Sequence, residues 1–324
     1  MLLVQNFLNG EEVQCDTSLT DPTLCLACAQ RHCTTAWGWL NIVGLAFSCT
    51  AGVVNYTTMF ALRRGLSRYF AAQQLLTRLG CPSWTAYSPD DLARSTVYFP
   101  AVGVVVGGIS AAVVALFGGV IGHVGMVAAV FAIASTAMVT GGFHEDAFAD
   151  VCDAFGGMTQ QRRREIMRDS LVGSFGASGV ALLLVAKVLA LAAVGPWKSM
   201  AAVVVVAHVL ARWTSVVMIR LTAYVEDPES LAKPYAGMVS NTRLGIATLL
   251  PSAPLALLLF GFGVGGGLLV GLILLCALSS VFFKRWLGGI TGDCLGAVNQ
   301  LAELAVYVLA SHPHVAAELA RCLS

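Results

Sequence analysis

The sequence has little charge. Only 11% of its 324 residues are Asp, Glu, Lys or Arg, whereas soluble globular domains carry about 25%. Mean hydropathy is +0.78, and several stretches reach the roughly 20 apolar residues that a membrane span requires. The composition excludes an ordinary soluble domain and predicts an all-α, polytopic bundle of membrane helices with the lipid bilayer as its surroundings.

A basic excess is missing as well. The formal net charge is +1, so the chain lacks the electrostatic signature of a nucleic-acid-binding protein, and we expect no nucleic-acid partner. The ten cysteines are scattered. The run with Cys25, Cys28, His32 and Cys33 falls short of a recognisable four-ligand zinc pattern. Free thiols in a loose extension are the favoured interpretation, and a metal site there is the alternative.

The N-terminal region differs from the rest of the chain. Residues 37–56 are apolar but interrupted by polar residues, which makes them a weak span candidate. Residues 59–80 are rich in Arg, free of acids and helix-forming, as in a targeting sequence or an interfacial amphipathic helix. We therefore divide the chain into an N-terminal extension, residues 1–58, and a membrane-embedded domain, residues 59–324.

The membrane-embedded domain contains apolar segments in pairs, each pair separated by a Gly-rich or Pro-containing tip. We predict about seven spans, arranged largely as hairpins. The predicted spans are residues 97–119 with 120–142, 175–194 with 200–220, 244–260 with 264–283, and the single segment 297–310.

Hairpins place all the charged connections on one side of the membrane, which we call the charged rim. These connections are residues 61–94, 143–174, 222–243 and 284–295. The positive-inside rule predicts that this side faces the cytoplasm of a bacterial-type inner membrane, or the equivalent side of an organellar membrane. An active site built from these connections would lie at one membrane rim.

The stretch "GGFHEDAFADVCDAFGG", residues 141–157, brings four carboxylates together. Its first acid, Glu145, follows fifty residues, 95–144, without Asp, Glu, Lys or Arg. Asp146, Asp150 and Asp153 are spaced i, i+4, i+7 and fall within about 60° of one helical face, whereas Glu145 points about 100° away. The spacing predicts an ordered group of three carboxylates, and a solvated acidic loop is the alternative.

Three carboxylates on one helical face repel one another. A divalent cation would relieve the repulsion, and oxygen ligands without His or Cys favour Mg²⁺, or Mn²⁺. Mg²⁺ bound by a few carboxylates typically shares its coordination shell with substrate phosphates. We therefore predict that Asp146, Asp150 and Asp153 bind a metal ion next to a phosphate-containing substrate.

Cations flank these acids in the sequence. Arg168, Asp169 and Ser170 precede a Gly-rich loop, and Lys187 and Arg212 lie inside predicted spans, where a charge is a functional hypothesis by default. Arg162–Arg164 are better explained as a positive-inside anchor, and Glu303 in the last span needs a partner. The candidate substrate-binding residues are Arg168, Ser170, Lys187, Arg212, Lys284, Arg285 and Asp293.

Several ordered motifs carry a family resemblance. They are "AAQQLLTRLGCP" (71–82), "FPAVGVVVGGIS" (99–110), the acidic stretch, "REIMRDSLVGSFG" (164–176) and "KRWLGGITGDCLGAVNQLAEL" (284–304). With these motifs the chain resembles the cobalamin synthase family, the adenosylcobinamide-GDP ribazoletransferases of late cobalamin biosynthesis. The resemblance covers about residues 70–310 and leaves the N-terminal extension outside.

The resemblance implies a phosphotransferase. The primary hydroxyl of α-ribazole, or of its 5′-phosphate, would attack the cobinamide-side phosphorus of adenosylcobinamide-GDP and release GMP. Asp146, Asp150 and Asp153 would hold Mg²⁺ on the diphosphate, and one of them or Asp169 would accept the hydroxyl proton. A homo-oligomer, or association with other enzymes of the pathway, is left open.

The chain departs from the family pattern at three positions. Ala147 stands where the family usually has Gly, and Leu171 and Gly237 stand where it commonly has Arg. The two missing arginines are candidate substrate contacts in the family, so their loss bears on substrate affinity. All three central aspartates are present.

Two other functions compete with this interpretation. Phospholipid-making CDP-alcohol phosphotransferases also carry spaced aspartates at a helix end, but this chain lacks their Asp-Gly-x-x-Ala-Arg pattern and the second aspartate pair. An ion-coupled transporter would place its site near the membrane midplane and often shows internal repeats. The predicted acids lie at one rim, and no repeat is evident.

Overall fold

The structure is a computed structural model that describes residues 61–85, 88–122, 125–225 and 239–323. Within these ranges the chain is helical and has no β-strand, which confirms the all-α prediction. The N-terminal extension, with its cysteine run and its weak span candidate, lies outside the described residues. Residues Arg64–Ser324 form one compact unit.

Twelve helices account for most of the described chain. In chain order they are α1 (61–76), α2 (Pro89–Ser95), α3 (Phe99–Ala115), α4 (Met126–Thr140), α5 (Phe143–Ala154), α6 (Gln160–Met167), α7 (Ser174–Ala192), α8 (Trp197–Leu221), α9 (Asn241–Ala247), α10 (Ala253–Leu287), α11 (Gly292–Ser311) and α12 (Pro313–Leu323). A 3₁₀ turn, Thr96–Tyr98, precedes α3, and π-helical turns follow α3 and α9 at Leu116–Val120 and Thr248–Ser252.

Five helical stretches of the described residues are long and apolar enough to cross a membrane. They are Asp91–Val120, Ser174–Ala192, Trp197–Leu221, Asn241–Leu287 and Gly292–Ser311. Helices α4 and α5 satisfy the same test only together and are bent by 90° at the break between them, so they add a sixth crossing if they are counted as one.

The longest stretch, Asn241–Leu287, is a hairpin. Gly261 has φ 72° and ψ 170°, which interrupts the helix. A Cβ atom on Gly265 would lie 2.6 Å from the carbonyl oxygen of Ala256, whereas a straight helix would separate these residues by about 13 Å. The chain therefore reverses at Gly261. Counting its two arms separately brings the crossings to seven, in agreement with the predicted number.

The charged connections meet at one end of the bundle. Gln160 donates from Nε2 to the carbonyl oxygen of Arg285 at 3.1 Å. The backbone N–H of Ile290 donates to the carbonyl of Ala223 at 3.1 Å, and that of Arg78 donates to Val139 at 2.8 Å. The first two contacts join three of the charged connections, and the third brings the remaining one, residues 61–94, to the end of α4, just before the acidic stretch.

Helix α8 is the centre of the bundle. Its apolar window is 89% buried, against 22–61% for the other spans. A Cβ atom on Gly103 of α3 would lie 2.5 Å from the carbonyl oxygen of His208, and one on Gly107 would lie 2.7 Å from Cα of Val205. Small residues let membrane helices approach closely in this way, so α3 and α8 form the tightest pair.

Candidate functional site

Helix α5 carries the acidic stretch, and two glycines set its direction. Gly141 and Gly142 both adopt positive φ, +72° and +73°, a conformation that glycine adopts without steric cost. The N–H of Gly142 donates to the carbonyl of Ala137 at 2.8 Å and closes the end of α4. After this turn α5 leaves α4 at an angle of 90°, and it runs to the charged rim.

The carboxylates of α5 gather at this rim together with Asp293, at the start of α11. Asp146 is exposed, and Asp150, Asp153 and Asp293 are half-buried. Asp150 lies close enough to the other three carboxylates to interact with them electrostatically. Asp293 was predicted as a substrate ligand, and the structure brings it to the aspartates of α5. We call Asp146, Asp150, Asp153 and Asp293 the carboxylate platform.

Asp153 anchors the platform to α7. Its Oδ2 accepts the backbone N–H of Gly173 at 2.7 Å, and its Oδ1 accepts that of Gly176 at 2.8 Å. A carboxylate at a helix N-terminus satisfies amides that lack partners within the helix and is stabilised by the helix dipole. A Cβ atom on Gly173 would lie 2.6 Å from Asp153 Oδ1, and one on Gly176 would collide with Oδ2.

The donor set of the platform fits a hard divalent cation. Its side chains offer only oxygen, which suits Mg²⁺ or Mn²⁺. In the part of the chain that the structure describes, no three His, Cys, Asp or Glu side chains converge on a single metal position. Mg²⁺ commonly takes one or two carboxylates and fills its shell with water and phosphate oxygens, so the platform does not need to form a closed cage.

Other predicted residues lie in exposed connections at the charged rim. Arg168, Asp169 and Ser170 are exposed in the loop that leads into α7, and Asp169 Oδ1 accepts the N–H of Leu171 at 3.1 Å. Lys284 and Arg285 are exposed at the end of α10, one short turn before Asp293. In the sequence, Arg168 follows the α5 aspartates, and Lys284 and Arg285 precede Asp293.

Lys187 and Arg212 lie elsewhere. Both side chains are 1% exposed, and both pair with Glu303 of α11. The distance from Lys187 Nζ to Glu303 Oε2 is 2.6 Å, and that from Arg212 Nη1 to Glu303 Oε1 is 3.0 Å. The structure thus supplies the partner that Glu303 needs. The predicted substrate role of these two cations stays a prediction.

Two residues of this buried group escaped sequence reasoning. His208 Nδ1 lies 2.8 Å from Glu303 Oε1, and Gln300 Oε1 accepts from Lys187 Nζ at 2.7 Å. A signal was available, because His208 precedes Arg212 by one turn and Gln300 precedes Glu303 by three residues. Some polar atoms here, including both amide atoms of Asn299, have no hydrogen-bond partner among the described residues, and buried water commonly fills such positions.

An aromatic group borders the rim beside α6. The guanidinium of Arg163 lies 5.1 Å from the ring centroid of Trp286 and donates to the carbonyls of Trp286 and Gly157 at 2.9 and 2.8 Å. Phe155 and Phe282 pack on the same indole. An adjoining cavity of about 440 Å³ is lined by Arg163, Leu278, Val281, Phe282, Arg285 and Trp286.

The fold and the site define the general class of this protein, which is an all-α membrane protein with carboxylates and cations at one rim. Comparison with known proteins gives the family. The model of the cobalamin-5-phosphate synthase family matches residues 68–311, and the chain belongs to that family. The resemblance inferred from the motifs is confirmed.

Three relatives show how far the similarity extends. The chain is 38% identical over 259 residues to the adenosylcobinamide-GDP ribazoletransferase of Leptothrix cholodnii, which covers 77% of this chain and 97% of that protein. It is 38% identical over 252 residues to that of Shewanella halifaxensis, covering 76% and 95%. It is 36% identical over 273 residues to that of Polaromonas naphthalenivorans, covering 75% and 96%. No solved structure matches the chain.

Proposed function

We propose that this protein is an adenosylcobinamide-GDP ribazoletransferase of a bacterial-type inner membrane. It joins α-ribazole, or α-ribazole 5′-phosphate, to adenosylcobinamide-GDP and releases GMP. The observation that carries the proposal is the 38% identity to a protein of that name along 97% of the relative's length. The platform's three α5 aspartates, which the family's acidic motif implies for the site, are all present in this chain.

In this proposal the platform binds the diphosphate through a divalent cation. Asp146 and Asp150 are the first candidates to hold Mg²⁺, with Asp293 as a third oxygen donor from α11. Asp153 contributes its remaining lone pairs, since each carboxylate oxygen can accept more than one bond. A bound Mg²⁺ would neutralise diphosphate charge and stabilise the leaving phosphate.

The proposed reaction is one displacement at phosphorus. The primary hydroxyl oxygen of the ribazole forms a bond to the cobinamide-side phosphorus, and the bond from that phosphorus to the bridging oxygen of GMP breaks. The hydroxyl proton passes to a carboxylate. Asp150 is the preferred acceptor because it lies close to the other three carboxylates of the platform, and Asp169 is the alternative.

Cations in the rim connections would position the phosphate oxygens. Arg168 and Ser170 precede α7, and Lys284 and Arg285 end α10, so the substrate would be held from two sides. Arg and Lys are the usual partners of phosphate, Arg through paired N–H groups and Lys as a point charge. Lys187 and Arg212, paired with Glu303 in the interior, are left out of substrate binding in this proposal.

Complementation tests the function directly. The chain is expressed in a bacterium that lacks its own cobalamin synthase and is grown on cobinamide, with Asp150→Asn in parallel. We expect growth with the wild type and no growth with the variant. In detergent, the purified wild type should release GMP from adenosylcobinamide-GDP only when α-ribazole or its phosphate is present.

Other results would point elsewhere. Equal growth with Asp150→Asn would remove Asp150 from catalysis. No growth and no GMP release with the well-folded wild type would refute the ribazoletransferase proposal. Phosphotransfer from a CDP-alcohol, or ion-driven uptake in vesicles, would then identify the competing classes.

A further inference from the structure

A buried group of polar side chains from three helices lies beneath the platform. It comprises Lys187 of α7, His208 and Arg212 of α8, and Gln300 and Glu303 of α11, and we call it the buried network. Each of these residues is about 1% exposed. Charged groups inside a membrane domain are costly and are retained where they pair and serve a function.

The buried network extends to α5 through one amide. Gln300 Oε1 accepts from Lys187 Nζ at 2.7 Å, and Gln300 Nε2 donates to Glu145 Oε1 at 3.0 Å. Glu145 directly precedes Asp146. A continuous path of hydrogen bonds and ion pairs therefore runs from Arg212 and Glu303 in the interior to the helix that carries the platform.

The charges along this path balance. Two cations, Lys187 and Arg212, and two carboxylates, Glu303 and Glu145, lie along it, and both cations are already paired with Glu303. A substrate phosphate would have to displace a carboxylate in a low-dielectric interior, where unpaired charge is most costly. The network is thus poorly suited to bind substrate and well suited to fix the arrangement of the helices, since its hydrogen bonds and ion pairs join α7, α8 and α11 to one another.

The packing of α5 against α11 indicates what the buried network does for the platform. Asp293 and Gln300 lie two turns apart on α11, so they share a face. The repulsion between Asp293 and the α5 aspartates tends to separate the two helices. The bond between Gln300 and Glu145 opposes that separation, and a Cβ atom on Gly296 would collide with Cβ of Ala147 between the two sites.

We infer that Glu145 and Gln300 are positioning residues that transmit the alignment of the buried network to the carboxylate platform. They set the distance and register between the α5 aspartates and Asp293 without touching substrate. This inference rests on the proposed function of the platform as a divalent-cation site. Glu145 is then held facing the interior, which agrees with its predicted angle of about 100° from the aspartate face.

The experiment compares two substitutions of Glu145 in the purified full chain. Mn²⁺ affinity is measured by electron paramagnetic resonance of the free ion, which reads binding without turnover. Glu145→Gln keeps an oxygen that accepts from Gln300, and we expect an affinity within about twofold of the wild type. Glu145→Leu removes the acceptor, and we expect a 10- to 100-fold weaker affinity, the usual effect of losing an outer-shell partner.

Gln300→Met supplies the second arm. It breaks the same link from the other helix while keeping a similar volume, and we expect the affinity loss of Glu145→Leu. If both residues act through one link, the double variant should bind Mn²⁺ at most about twofold more weakly than either single variant, because the effects of coupled residues are not additive. Thermal unfolding in detergent identifies any variant that is merely misfolded.

Each outcome has a defined meaning. If Glu145→Gln weakens Mn²⁺ binding as much as Glu145→Leu does, then Glu145 is a metal ligand and the inference fails. If folded Glu145→Leu and Gln300→Met bind Mn²⁺ like the wild type, the network does not position the platform. A wild type that binds Mn²⁺ but produces no GMP refutes the ribazoletransferase proposal alone. A wild type that binds no Mn²⁺ removes the cation site and this inference with it.

Discussion

The carboxylate platform and the buried network treat charge in opposite ways. At the rim, four aspartates approach one another, and the candidate cations Arg168, Lys284 and Arg285 are exposed. In the interior, Glu303 is matched by Lys187 and Arg212 at 2.6 and 3.0 Å. The interior therefore supplies its own counter-charges, whereas the platform brings four carboxylates together, and this local excess of negative charge is the basis of the proposed cation site.

Asp150→Asn should have the largest effect of the substitutions considered, and the effect should be on turnover at the rim. We expect turnover to fall by about 10²- to 10⁴-fold, the range typical of losing a general base. Stability should be unchanged or higher, because one repelling charge is removed. GMP release and thermal unfolding of the same preparation check both statements. A fall in turnover that is matched by loss of fold would contradict them.

Glu303→Leu should lower the stability of the interior. Lys187 and Arg212 would remain buried without a counter-charge, and removing one partner of a buried pair typically costs about 3–5 kcal/mol. We expect a lower unfolding temperature in detergent. Glu303→Gln keeps the acceptor oxygen and should lose less, and an unchanged unfolding temperature in Glu303→Leu would show that the pairs contribute little.

Gly176→Ala tests the anchor between the two regions. Its Cβ would collide with Asp153 Oδ2, and forcing extra volume into a packed site typically costs about 1–3 kcal/mol. Gly108→Ala in α3 is the matched control, since its Cβ would meet nothing within 4 Å. We expect the control to keep the unfolding temperature of the wild type, and equal effects at both glycines would contradict the anchoring role of Asp153 on α7.

Glu165→Gln should have the smallest effect. Glu165 pairs with Arg162 at 3.1 Å, but their side chains are 46% and 64% exposed. Exposed ion pairs contribute little, because water and salt screen them, and we expect less than about 0.5 kcal/mol. A large shift in unfolding temperature would mean that rim charges matter to stability as interior charges do.

The sequence was a good guide wherever one helix decides the outcome. Apolar length and Gly-rich tips predicted the spans, including the reversal at Gly261, and helical spacing placed Asp146, Asp150 and Asp153 together while setting Glu145 apart. These are local properties, because the period of a helix relates residues a few positions apart.

Features that join distant segments were beyond that reasoning. The pair of Lys187 with Glu303 is separated by 116 residues, and the approach of Asp293 to α5 depends on how α11 packs. The 90° bend before α5 depends on the positive φ of Gly141 and Gly142, and glycine is equally compatible with other conformations. Composition marked each of these residues as unusual without specifying its partner.

The amide of Gln300 gives the path to the platform a direction. Its oxygen faces an ammonium group and its nitrogen faces a carboxylate. Rotating the amide by half a turn would replace two attractions with two repulsions. The side chain therefore has one stable orientation, and neither Glu nor Lys at this position can satisfy both neighbours. A neutral residue here acts as an adaptor of fixed polarity between a positive side chain and a negative one.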